Sequence, residues 1–97
     1  EIVVAFQSKF GPEEWVKPYT VEEVARQAAA GRKRIAVIAP AFSSDCVETL
    51  EEINEEIRES FVHAGGEAFT YIPCLNAEPD HVDMMMAVLE REMAGWI

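Results

Sequence analysis

Four carboxylates in the middle of the chain have the types and spacing to bind cations or to move protons. Asp45 is followed by Glu48, Glu52 and Glu56, which recur at every fourth position. On a helix this spacing makes a slowly drifting row along one side. Carboxylate oxygens can replace part of the water shell of a divalent ion, and like charges held close raise one another's pKa. A cation path and a plain solvated helix face are both open at this point.

The residues around these carboxylates predict a helix over residues 45–63. Asp45 has the position and type of a capping residue, with Glu48 three residues later, and Gly65 and Gly66 follow the last turn. A cap at Asp45 would fix the first turn and thereby orient Glu48. The inner side of this acidic helix is predicted to consist of Leu50, Ile53, Ile57 and Phe61.

Three short apolar runs, at residues 2–6, 35–39 and 68–72, predict strands that are buried on both faces. A helix is expected between the first two, where Thr20 and Glu23 have the spacing of a capping box. A further amphipathic helix is expected after the third strand, with an inner face of Val82, Met85, Leu89 and Met93. The order βαβαβα indicates an α/β fold with a parallel sheet, half of a three-layer α/β sandwich.

Ligands of parallel sheets bind at the carboxyl ends of the strands, so the loops after Phe6, Ala39 and Ile72 are the places to look for a site. The first of these loops, residues 7–19, is long and contains Trp15. Its indole could stack on a flat aromatic ligand or could anchor the loop to the sheet. Both interpretations of Trp15 are open on sequence alone.

The chain has 97 residues, of which 49% are hydrophobic, and this predicts a single domain over residues 1–97. Its net charge of −10 argues against a nucleic-acid partner, because phosphate binding needs clustered Lys and Arg. Cys46 and Cys74 are expected to be reduced thiols, which favours a cytoplasmic location. His63 and His81 are expected at the surface.

Two loop segments resemble the ferrochelatase family in combination. Residues 7–18, QSKFGPEEWVKP, resemble the family's Gln-Ser-x-x-Gly-Pro-x-x-Trp-Leu-x-Pro. Residues 40–48, PAFSSDCVE, resemble its Pro-x-x-Phe-x-x-Asp-His/Cys-x-Glu from Phe42 onward, with one residue fewer between Pro40 and Phe42. The resemblance runs along nearly all of the chain and implies a chelatase-like α/β fold, with residues 1–97 as the C-terminal part of a larger ferrochelatase.

The resemblance also implies roles for individual residues. Trp15 and Phe42 would line the porphyrin cleft as substrate-binding residues, and Glu48 would be the acidic residue of the metal-insertion site, with Asp45 in the same catalytic set. Glu48, Glu52 and Glu56 would form the metal path. Cys46 takes a position that is histidine in many members, and its alternative role is that of a small buried apolar residue.

A ferrochelatase is a lyase of haem biosynthesis that inserts ferrous iron into protoporphyrin IX. The family's histidine base lies upstream of the segment that matches Glu1, so the 97 residues alone are expected to be inactive. Iron is then a substrate, and no resident cofactor is expected on this segment. An iron–sulfur cluster, peripheral membrane association and homo-oligomerisation of the parent stay open.

Two other functions are also open on the sequence. The chain could be a non-enzymatic acidic module that binds metal or serves as a structural α/β unit. It could also come from a chelatase for another tetrapyrrole.

Overall fold

Helices alternate with a two-stranded parallel sheet in the computed structural model, which describes residues 1–96. An extended N-terminal segment precedes the regular elements. In chain order the elements are α1 (Thr20–Ala29), β1 (Arg34–Ile38), the acidic helix, β2 (Ala68–Ile72) and α3 (Pro79–Glu92). The acidic helix is π-helical over Glu48–Ile57 and continues as the α-helix α2 over Arg58–His63. The predicted α/β class is confirmed.

The sheet is a parallel pair whose register runs from Arg34 opposite Ala68 to Ile38 opposite Ile72. The acidic helix supplies the crossover between the two strands, as parallel pairing requires. Both strands lie within one residue of their predicted positions. Their carboxyl ends therefore point to the same edge, where the loops after Ile38 and Ile72 begin.

The prediction of a strand at residues 2–6 is wrong, because the structure shows no strand there. This segment makes an isolated parallel bridge, in which the Phe6 N–H donates to the Pro18 carbonyl and the Thr20 N–H donates to the Phe6 carbonyl, both at 2.8 Å. A strand needs a neighbour along its whole length to pair its backbone groups. Within residues 1–96, β1 is paired with β2, and no strand runs beside residues 2–6. The first strand of the predicted order βαβαβα is therefore missing, and the observed order is αβαβα.

The hydrophobic core lies where α1 and the acidic helix pack on one face of the sheet. Its buried residues are Val24, Ala28, Ile53, Ile57, Phe61 and Phe69. The rings of Phe61 and Phe69 are 6.0 Å apart and tilted by 53°, an arrangement that favours aromatic pairs. This packing fixes the acidic helix against β2.

The π-helical geometry changes which side of the acidic helix is buried. The predicted inner residue Leu50 is 50% exposed, whereas Thr49 is fully buried together with Ile53 and Ile57. A π-helix bonds residue i to i+5 and has more residues per turn than an α-helix, so residues four apart stay on one face. The row formed by Glu48, Glu52 and Glu56 precedes this buried row by one position and runs beside it.

Helix α3 follows β2, as predicted, and has a proline in its first turn, but its apolar face is exposed. Val82, Met85 and Leu89 are each at least 39% exposed, because no helix or strand among the described residues packs extensively against α3. His81 was expected at the surface and is instead 6% exposed. No helix within residues 1–96 is long and apolar enough to cross a bilayer.

The predicted capping box at the start of α1 is not formed. The helix has no side-chain cap, and the Glu23 N–H donates to the Tyr19 carbonyl at 2.9 Å. The Glu23 carboxylate instead accepts from Arg26 and Gln27 on the next turn, and these bonds lower its pKa. The Glu23 carboxylate therefore bonds to side chains of its own helix and not to the backbone at the helix start.

Candidate functional site

Three loops converge at the carboxyl edge of the sheet. The parallel order predicts this for the loops after β1 and β2, whereas the first loop comes there although no strand precedes it. The Gln7 side chain donates to the Glu48 carbonyl at 2.7 Å, which joins the first loop to the acidic helix. The Asp45 N–H donates to Asn76 Oδ1 at 2.8 Å, which joins the loop after β1 to the loop after β2. These contacts cross 41 and 31 residues of sequence, so the fold and not local structure brings the groups together.

Asp45 lies at the centre of a hydrogen-bond network. Its Oδ1 accepts from the Thr49 hydroxyl at 2.9 Å and from the Tyr71 hydroxyl, and its Oδ2 accepts from Asn76 Nδ2 at 2.9 Å. The Tyr71 hydroxyl also lies 3.5 Å from Cys74 Sγ. Donors from the acidic helix, β2 and the following loop thus meet on one carboxylate.

This network keeps the carboxylate ionised. The Tyr71 hydroxyl, then Asn76 and Thr49, hold the pKa of Asp45 well below its usual range. Burial, followed by the bond to Asp45, raises the pKa of Tyr71. Asp45 was expected to cap the helix, but the helix has no side-chain cap and its cap position is Val47. Asp45 acts on the first turn through the Thr49 hydroxyl instead.

Glu48 is half-buried at the first position of the π-helical segment. The interaction with the neighbouring Cys46 thiol lowers the pKa of Glu48 and raises the pKa of Cys46. Cys46 and Cys74 are both free thiols. Cys46 is half-buried, so it is more exposed than the small buried apolar residue that was the alternative expectation.

Glu52 is held by the first loop. The Ser8 backbone N–H donates to its Oε1 at 2.6 Å, and the Ser8 hydroxyl donates to its Oε2 at 2.8 Å. Ser8 has a φ of 61°, a left-handed conformation that non-glycine residues adopt infrequently. A fixed backbone conformation at Ser8 therefore aims two donors at one carboxylate.

Glu56 is exposed and borders shallow surface hollows on the outer side of the acidic helix, one with Glu59 and His63 and the other with Glu51 and Glu52. Among the residues that the structure describes, no three His, Cys, Asp or Glu side chains come together as a metal site. The predicted row is thus a linear series of carboxylates, half-buried at Glu48 and Glu52 and open at Glu56.

The two predicted aromatic residues lie on different loops. Trp15 is 36% exposed, and its indole N–H donates to the Gln7 carbonyl at 3.1 Å. Its backbone N–H donates to the Tyr19 hydroxyl at 3.1 Å. Phe42 is half-buried in the turn after β1, where its N–H donates to the Ala39 carbonyl at 3.1 Å. Trp15 therefore anchors its loop and still presents part of its ring to solvent.

Sequence reasoning missed Ser8, Tyr71 and Asn76, whose side chains act across the fold, and also His81, whose partner Asn76 is five residues away. The ring Nδ1 of His81 lies 2.6 Å from the Asn76 carbonyl oxygen, which explains the burial of this histidine. The one local signal was the residue type of Asn76, since asparagine is enriched at left-handed positions and Asn76 has a φ of 50°.

Comparisons with known proteins agree along the chain. A family model described as Ferrochelatase matches residues 1–93. The chain is 62% identical to the ferrochelatase of Rhodobacter capsulatus over 96 residues, covering 99% of this chain and 27% of that protein. It is 56% identical to the ferrochelatase of Allorhizobium ampelinum over 97 residues, which are all of this chain and 28% of that protein. For the ferrochelatase of Marinobacter nauticus the identity is 51%, over 99% of this chain and 26% of that protein. The chain thus spans about a quarter of the length of these curated relatives.

Proposed function

Because the chain belongs to the ferrochelatase family, we propose that the full-length protein inserts ferrous iron into protoporphyrin IX, as a lyase of haem biosynthesis. Residues 1–97 are then a single α/β domain in the C-terminal part of that enzyme. The free thiols Cys46 and Cys74 support a cytoplasmic location.

The observation that carries this proposal is the row of carboxylates beside the buried row of the π-helical segment. Glu48 and Glu52 are half-buried, and each is tied to the first loop, through Gln7 and Ser8 respectively. A cation that meets the exposed Glu56 first would pass to oxygens that are progressively less solvated. Glu48, at the inner end of the row, is our metal-insertion residue.

Insertion also requires two pyrrole protons to leave the porphyrin. An ionised Glu48 can accept a proton, but the lowered pKa of this carboxyl makes it a weaker base and favours its role as a cation ligand. Asp45 contributes to the same catalytic set by holding the start of the helix, since three donors already occupy its oxygens.

The porphyrin would lie against Trp15 and Phe42, whose rings suit a flat macrocycle. Within residues 1–96 neither histidine is available as this base. His63 is exposed at the far end of the acidic helix, and His81 is hydrogen-bonded to the Asn76 carbonyl. A histidine base would thus have to come from the rest of the full-length protein. We accordingly expect the 97-residue chain to be inactive by itself.

The test is anaerobic insertion of ferrous iron into protoporphyrin by the full-length protein, followed by absorbance. We expect Glu48→Gln to abolish insertion, because the amide neither accepts the proton nor binds the ion as a carboxylate does. Glu55→Gln is the matched control, since Glu55 is exposed on the same helix outside the row. An inactive wild-type protein, or equal rates for the two variants, would refute the proposal.

A further inference from the structure

We propose that Asn76 is a positioning residue for metal insertion, which locks the loop after β2 onto the start of the acidic helix. The proposal rests on the proposed function of the row that begins at Glu48. Asn76 itself lies outside that row and makes no hydrogen bond to Glu48 or Glu52.

Every polar group of Asn76 makes a hydrogen bond. Its side-chain Oδ1 accepts from the Asp45 N–H at 2.8 Å, and its Nδ2 donates to Asp45 Oδ2 at 2.9 Å and to the Cys74 carbonyl at 3.0 Å. Its backbone N–H donates to the Ser43 carbonyl at 2.9 Å, and its carbonyl oxygen lies 2.6 Å from His81 Nδ1. A carbonyl can only accept, so Nδ1 of His81 carries the proton.

The two bonds between Asn76 and Asp45 form a closed pair, in which backbone and side chain of Asp45 are held at once. Such a pair fixes both the position of Asp45 and the rotation of its carboxylate. Within residues 1–96, Asn76 is the one residue that hydrogen-bonds to both the backbone N–H and the carboxylate of Asp45.

Asp45 passes this constraint to the helix. Its Oδ1 accepts from the Thr49 hydroxyl, and that hydroxyl accepts from the Cys46 N–H, both at 2.9 Å. Thr49 is fully buried and directly follows Glu48. The first turn of the π-helical segment, and with it the direction of Glu48, is therefore set by a path that starts at Asn76.

The backbone of Asn76 is suited to this position. Its φ of 50° is left-handed, which asparagine and glycine tolerate best. Asn76→Gly should thus keep the turn and both backbone bonds while it removes the three side-chain bonds. Asn76→Asp keeps the shape but places a carboxylate oxygen opposite the carboxylate of Asp45.

The experiment measures kcat and the KM for each substrate with the full-length protein, together with its unfolding midpoint. We expect Asn76→Gly and Asn76→Asp to raise the KM for ferrous iron, or lower kcat, by about tenfold to a hundredfold. The KM for the porphyrin should stay close to wild type, whereas the unfolding midpoint should fall modestly, because hydrogen bonds to Asp45 are lost. Thr70→Ala, on the exposed side of β2, is the control and should leave all these values unchanged.

A swap separates positioning from a loss of stability. Asp45→Asn combined with Asn76→Asp restores a donor opposite an acceptor, with the direction of the bond reversed. We expect the double variant to recover part of the activity that Asn76→Asp loses, which a general loss of folding would not allow. Recovery is partial because the bond to the Cys74 carbonyl is not restored.

The inference fails if both Asn76 variants insert iron as wild type does, if the KM for the porphyrin changes as much as the KM for ferrous iron, or if the swap recovers nothing. These outcomes differ from failure of the proposed function. In that case the wild-type full-length protein itself would insert no iron, and Glu48→Gln would change nothing.

Discussion

Ser8 holds both carboxylate oxygens of Glu52, with its backbone N–H 2.6 Å from Oε1 and its hydroxyl 2.8 Å from Oε2. This contact joins residues 44 apart in sequence and ties the first loop to the acidic helix. Hydrogen bonds to a charged group contribute about 1.5–3 kcal/mol each when they are shielded from water, and less at a half-buried site such as this one. Glu52 is therefore not a freely solvated surface carboxylate.

Replacing Ser8 by glycine should weaken iron capture without breaking the loop. Glycine accepts the left-handed φ of 61° and keeps the N–H, so Ser8→Gly removes only the hydroxyl. We expect the KM for ferrous iron in the full-length protein to rise by about three- to tenfold, from the loss of one charge-assisted bond. Glu13→Gln, on the exposed part of the same loop, should have no effect. An unchanged KM in Ser8→Gly would show that the hydroxyl does not orient Glu52.

Stability at acid pH should depend on Asp45. Its pKa lies below the ordinary value of 3.8, chiefly because the Tyr71 hydroxyl donates to it. The unfolded chain therefore binds the proton more readily, so this stabilisation is complete above the unfolded pKa and is lost as pH falls through that value towards the folded one. Asp45→Asn removes the titration. We expect its unfolding midpoint, followed by circular dichroism, to decline less between about pH 4 and pH 2 than that of wild type. Parallel curves would contradict this assignment.

Gly66→Ala should destabilise the protein through a clash in the core. A Cβ at Gly66 would lie 2.2 Å from the ring of Phe61, which is fully buried. We expect a loss of about 1–3 kcal/mol in the free energy of unfolding, measured with urea, because the packed ring has no space to move. The double variant Gly66→Ala/Phe61→Leu should lose less than the sum of its single changes. Strict additivity would mean that the ring moves aside.

Trp15 combines an anchor with a partly exposed ring, and two substitutions separate these roles. Trp15→Phe loses the bond to the Gln7 carbonyl but keeps an aromatic ring, whereas Trp15→Ala loses both. If the ring stacks on the porphyrin, the KM for porphyrin should rise about three- to tenfold in Trp15→Ala and less in Trp15→Phe. Trp96→Ala is the control, since Trp96 is 86% exposed. Equal effects of the two Trp15 variants would favour a loop anchor.

Local patterns predicted most of the elements. The apolar runs of β1 and β2 and the helical spacing of α1 and α3 were sufficient, because each depends on a few neighbouring residues. The segment at residues 2–6 has the same pattern as β1 but forms no strand here, since a strand also needs a partner alongside. The exposed face of Leu50 was mispredicted because α-helical spacing was applied to a π-helical segment.

The sequence by itself determined the α/β class, the placement of the loops at one edge of the sheet and the carboxylates that could bind a cation. These follow from periodicity, chain order and residue chemistry. Only the tertiary structure decided which side chains hold those carboxylates. Ser8 reaches Glu52, and Asn76 reaches Asp45, across 44 and 31 residues. A hydrogen bond tolerates a change of only a few tenths of an ångström in its donor–acceptor distance. These distances are set by the packing of the acidic helix on β2, which local sequence does not encode.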